Sequence, residues 1–157
     1  MIMSQADAIV IKIVDLLAGD KDIRTLLKDG ESTAQDMINE KLIVNYPVIL
    51  NDNKVSNFIS VHHDNTVLID GTNKYISTFK ISCGVTYERW MTKDKHIRSY
   101  QLSERVIKVL DKLRIENSTN RLTLATINSI YWNELVTGQS LIFQLTEMEN
   151  INEHTIV

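Results

Sequence analysis

The feature that most limits what this chain can fold into is a strict alternation across residues 75–87. Tyr75, Phe79, Ile81, Cys83, Val85 and Tyr87 take every second position, with Ser77 the one polar member of the set. Between them stand Thr78, Lys80, Ser82, Gly84 and Thr86, mostly polar or small. Successive side chains of a strand point to opposite faces, so the pattern predicts one long β-strand with a buried face and a wet face. Its length exceeds that of an average strand, which predicts that part of it projects beyond a compact core.

A second period follows. Leu102, Val106, Val109, Leu110 and Leu113 recur at helical spacing, and Glu104, Arg105, Lys108, Asp111 and Lys112 take the opposite side. This predicts an amphipathic helix over residues 99–113. Near the start, Ser4 with Asp7 reads as a helix cap before a stripe of Ile9, Val10, Ile13, Val14, Leu16 and Leu17. Gly19 would end that helix in a left-handed conformation. Asp20 would cap a second piece, with Gly30 as its stop, and Thr33 with Asp36 a third. Residues 1–44 therefore read as a helical segment in two or three pieces.

Pro47 closes that segment, because a proline disfavours the helical region for the residue before it. Residues 48–50 look extended and 51–53 are a turn cluster. Residues 58–63 and 66–69 read as two short strands around Asp64 and Asn65, and Asp70-Gly71 marks a turn. Residues 117–120 form a loop. Two closing strands, 122–132 and 139–148, are joined around 133–138, and the tail 149–157 shows no pattern. Short turns between strand pairs predict a mainly antiparallel sheet with helices packed on it. The expectation is one α+β domain over 1–157, with 1–44 helical, 45–148 sheet plus helix, and 149–157 a tail.

The chemistry is sparse. With 17 basic and 20 acidic residues, the formal net charge is −3. That gives no global reason to bind nucleic acid. The five glycines stand apart, so no phosphate-cradling loop is present, and no metal-binding or nucleophile-elbow spacing occurs. His62 and His63 are adjacent on a strand and point to opposite faces, so they do not chelate one ion together. Cys83, the sole cysteine, sits on the apolar face of its strand and reads as a small hydrophobe. The apolar run 8–17 is broken by Lys12 and Asp15 and is too short to span a bilayer. No catalytic, cofactor or metal residue is expected, nor any membrane partner.

The residues best suited to contact another protein lie in loops. Between the strongest strand and the strongest helix, residues 88–98 hold Trp90 and Met91 among Arg89, Lys93, Lys95 and Arg98. Trp132 and Leu135 occupy the last turn. Aromatic residues, Met and Arg are enriched at interfaces. These eight are the candidate subunit or partner contacts, with residues 88–98 expected to act as a contact arm and Trp90 to bury against another chain.

The element order resembles that of the tail terminator (tail completion) proteins of the neck of tailed bacteriophages. The matching stretches are residues 6–17, the strand 75–87, the polar loop, the helix 99–113, and the pair 122–132 and 141–145. The resemblance implies a structural virion protein of the tail and neck, made in the host cytoplasm. Six copies would form a ring that caps the tail tube protein and meets the head connector or other neck proteins. DNA would pass through the lumen without specific binding. Another connector or tail-tube-associated ring protein would share this order. A small cytoplasmic enzyme with dispersed catalytic residues is the reading from a different class.

Overall fold

The computed structural model describes residues 2–48, 56–115 and 121–148. Three helices come first: α1 (Ile2–Gly19), α2 (Lys21–Leu27) and α3 (Ala34–Asn39). Strands β1 (Ile43–Val44), β2 (Phe58–Leu68) and β3 (Lys74–Thr86) follow. A single 3-10 turn, Tyr87–Arg89, leads to α4 (Arg98–Leu110), then β4 (Thr123–Tyr131) and β5 (Val136–Met148). The five strands form one sheet in the order β1-β2-β3-β5-β4. All pairs are antiparallel except β1 with β2. The architecture is α+β, as the two sequence periods predict.

The alternating strand is the middle of the sheet. Tyr75, Phe79, Ile81, Cys83 and Val85 face the helices and are buried, and Ser77 is buried with them. Across β5, Leu141, Phe143 and Leu145 continue that layer. α1 packs on β2, and α4 lies across β3 and β5. Ile13, Leu17, Leu102, Val106 and Leu110 supply the helix side of the core. The opposite face of β3 is wet only in its first half. Ser82 and Thr86 are buried there as well, because Phe58 folds across that face and Trp132 packs edge-on against it, with ring centroids 5.2 Å apart.

The capping predictions hold at two helices. The Asp20 carboxylate accepts from the Ile23 amide, and Thr33 with Asp36 forms a complete capping box. Several other expectations are corrected. α1 already includes Ser4, so Ser4 is not its cap. Gly19 does not adopt a positive φ, whereas Gly30 (φ 90°) and Gly71 (φ 73°) do. Ile43 and Val44 leave the helical segment and pair in parallel with Ile59 and Ser60. Their β-branched side chains suit a pleated sheet better than a helix. The two short strands of residues 58–69 are one strand, because a bulge between His63 and Asn65 absorbs the polar pair that reads as a turn. The helix predicted to 113 stops at Leu110; Leu113 still packs on the core, from the turn. The extended reading of 49–50 and those of 51–53, 117–120 and 149–157 lie outside the described residues.

Two glycines set how closely strands and side chains approach. Gly84 pairs with Gly138 across the β3–β5 ladder. A Cβ on Gly138 would lie 1.8 Å from the Cys83 carbonyl oxygen, which is backbone and cannot move aside. A Cβ on Gly84 would meet the Phe58 ring at 2.3 Å. Gly19, by contrast, has nothing within 4 Å of such an atom. Gly138→Ala should therefore lower the unfolding free energy by about 3 kcal/mol, the scale of a severe overpacking defect. Gly19→Ala should stay within about 0.5 kcal/mol of the parent. Urea unfolding of the two variants measures both, and equal midpoints would contradict the close approach.

Candidate functional site

The arm between β3 and α4 is built as a folded lobe. Its 3-10 turn places the Trp90 amide on the Tyr87 carbonyl at 3.2 Å. A small antiparallel bridge joins Met91 to Ile97. Between them the Thr92 amide donates to His96, and Lys95 turns the chain with φ 64°. Arg98 ties this lobe down. Its Nε donates to the Arg89 carbonyl at 2.7 Å and its Nη1 to the Leu26 carbonyl at 3.0 Å. Asp29 receives Arg89 at 3.5 Å and stands 3.9 Å from Arg98.

These contacts sort the eight candidates. Arg98 is 7% exposed and serves as an internal tether, so it does not belong to the outer surface. The physical reason is that a guanidinium presents several donors in a fixed fork, which here satisfies two otherwise open carbonyls. Trp90 is half-buried, packs on its own core and leans on Tyr87, with ring centroids 5.6 Å apart. Most of what it could bury is thus already covered within its own domain. Trp132 is likewise half-buried, against Phe58. Met91, Lys93, Lys95 and Leu135 are exposed, and Arg89 is exposed apart from its contact with Asp29.

The structure brings the two loop groups together. The Tyr87 amide donates to the Leu135 carbonyl at 3.0 Å, since Thr86 and Val136 are register partners at one end of the β3–β5 ladder. One end of the molecule therefore gathers Leu135, the exposed ring of Tyr87 and the arm that carries Met91, and Tyr100 is exposed in the first turn of α4, just after the arm. Sequence reasoning did not select Tyr87, which reads as the last member of the alternating strand, or Tyr100, which sits among polar residues at the start of α4. The opposite end, where β2 turns into β3, exposes Val67, Leu68 and Ile69.

The residues with reactive potential are engaged otherwise. Cys83 is fully buried, and burial pushes its thiol up to about 12, so it stays protonated near neutrality. Ser103 donates to the Gln139 amide oxygen at 2.9 Å, and Gln139 donates to Ser99 at 3.4 Å, which closes a polar seam beneath α4. His63 bonds Thr66 at 2.7 Å and tilts on Phe79. His62 lies on the other face, where burial and then the nearby Lys80 hold its pKa down against the pull of Asp64. Among the described residues, no cluster of His, Cys, Asp or Glu could hold a metal ion. No helix of the described residues is long and apolar enough to cross a membrane.

No protein-family model matches the chain, and a search of curated proteins finds no match.

Two expectations follow from these contacts. Trp90→Ala should cost the isolated subunit about 2 kcal/mol, below the ~3–5 kcal/mol of a fully buried aromatic, while Met91→Ala should change stability by less than about 0.5 kcal/mol. An unaffected Trp90→Ala subunit in thermal unfolding would return Trp90 to the free surface. The second concerns Asp20, which Arg105 grips at 2.8 and 3.2 Å. Burial raises its pKa, but the Arg105 and Ile23 hydrogen bonds and the Arg105 charge outweigh that, and the net shift is downward. Such a carboxylate stabilises the fold above its unfolded pKa of about 4 and loses the contribution as pH falls through the lowered folded value. Asp20→Asn, which keeps an N-cap side chain, should be less stable than the parent at neutral pH. The gap should close on acidification below about pH 4, and a gap that is flat across this range in chemical denaturation would refute the pairing.

Proposed function

We propose that this chain is a structural subunit of a tailed-phage neck, a tail terminator whose copies close a ring on the tail tube and meet the head connector. The observation that carries the reading is the open sheet. Its two edges are unlike: one is β4, the other is the outer side of β2 beyond the short β1. A contact between unlike patches on successive copies is heterologous, and such contacts close into rings when the rotation allows. The element order supports the same reading, since the helix, the antiparallel sheet, the arm, the second helix and the closing strand pair occur in the sequence expected of that family.

The surface chemistry is compatible with a lumen that lets DNA pass. The net charge of −3 gives a polyanion little to hold. Of the basic residues in the arm, Arg98 is buried and Arg89 pairs with Asp29. Lys93 and Lys95 remain beside Glu88 and Asp94. In the ring, the apolar end that carries Tyr87, Met91 and Leu135 is suited to meet a neighbouring neck or tube protein, as aromatic and Met side chains suit an interface core.

Native mass measurement and negative-stain microscopy of the purified protein, with cross-linking inside assembled particles, test the proposal. The expected result is a ring of six 18.0 kDa subunits in the particle. Isolated monomers in solution and in assembled particles alike would overturn it.

A further inference from the structure

β4 is an unusual edge strand. Exposed edges are templates for unwanted pairing, and proteins normally blunt them with charges, proline or a covering element. From Leu122 to Trp132 this chain has no charged residue, no proline and no glycine. The first part of the strand's outer side is occupied: Leu122 exchanges backbone bonds with Lys112 and Leu113, and the Leu124 amide donates to Asp111 Oδ1 at 3.0 Å. From residue 125 to 131, no described strand pairs with it on the outer side. The side chains of that stretch are exposed as well, apart from the half-buried Ile130 on the far face. Ile127 is 52% exposed and Tyr131 66%, and both lie on the helix side of the sheet, opposite Leu141 and Thr137. The helices do not reach that far, because α4 ends its cover at β3 and β5.

The other edge has complementary properties. β1 pairs only with Ile59 and Ser60, so the outer side of β2 from Val61 to Leu68 faces no described strand. Val67 and Leu68, 53% and 61% exposed, lie on this stretch. β2 opposes β3, β3 opposes β5 and β5 opposes β4, so β2 and β4 run in opposite directions. A second copy set beside the first in the same orientation therefore presents its β2 antiparallel to β4, with no reversal needed. The α1 helix of that copy rides on its β2. It would arrive on the same side of the joined sheet as the uncovered residues Ile127 and Tyr131, and it carries an exposed Ile11 of its own.

We infer that residues 125–131 of β4 pair with the outer edge of β2 in a second copy of this chain, whose α1 completes the cover of the joined sheet. The inference rests on the ring reading above and names the contact that closes it. Main-chain hydrogen bonds supply the attraction, as in other strand additions, and the alternating side chains fix which copy fits. The charges agree: β4 is neutral, so the lone acidic Asp64 near the β2 bulge meets no like charge.

Two lysine variants on the exposed edge, Ile127→Lys and Tyr131→Lys, provide the test, with Ile38→Lys on α3 as an exposed control away from either edge. Each is compared with the parent by native mass across a concentration series and by hydrogen exchange. The parent should assemble with slowed exchange at both 125–131 and 61–68. The two β4 variants should need at least tenfold higher concentration to assemble, with the thermal midpoint of the monomer unchanged, and the control should behave as the parent. Rings whose β4 amides exchange freely would overturn this inference while leaving the ring intact. Protection of β4 without β2 would mean symmetric β4–β4 pairing and would overturn it too. A parent that stays monomeric at every concentration, in solution and in particles, would overturn the ring reading itself.

Discussion

The ladder between β3 and β5 is the constraint on which the rest of the molecule depends. It runs without interruption from Lys74 opposite Met148 to Thr86 opposite Val136. The core side chains of these two strands are matched by it, since a slip of one residue would set Phe143 and Leu141 on the opposite face from Phe79 and Ile81. α4 packs on these two strands, α1 packs beside them on β2, and the arm and last turn meet because the ladder ends where both begin. The register therefore fixes the core and also which loops are neighbours.

Much of this was legible in the residues because the two periods are strong. The alternation at 75–87 places β3 to within a residue, and the stripe from Leu102 to Leu113 places α4 but overruns its end by three residues. Asp20 and Thr33 were readable as caps because a side-chain oxygen three residues ahead of an amide is a local signal. What failed was non-local. Ile43-Val44 joins the sheet only because β2 comes to lie beside it, and Asp64-Asn65 forms a bulge only because β3 continues to pair on both sides of it. Neither fact is available within a window of neighbouring residues.

The candidate surface was half legible for the same reason. Loop position and residue type picked out Met91 and Leu135, which are exposed, and also Arg98, which is not. The partners that bury Arg98 include the Leu26 carbonyl, a contact far away in sequence. The expectation that a long strand would project beyond a compact core fell on β3, which is the central strand with both edges occupied. The free edges belong to β4 and β2. Strand order decides that, and strand order cannot be read from strand sequence. The absence of charge from 122 to 132 was visible throughout, but it acquires meaning only once β4 is known to be outermost.

The paired glycines of the central ladder bear on how this sequence can drift. Position 138 faces a carbonyl oxygen of its partner strand, so it is closed to every side chain. Position 84 faces the ring of Phe58 instead, and a ring can be exchanged for something smaller. Residues 58 and 84 can therefore trade volume, but only together, and any loss at 58 also removes the surface on which Trp132 rests. A lineage of such chains would hold 138 fixed while 58, 84 and 132 moved as a linked set, so the packing on the far face of the sheet evolves as one unit.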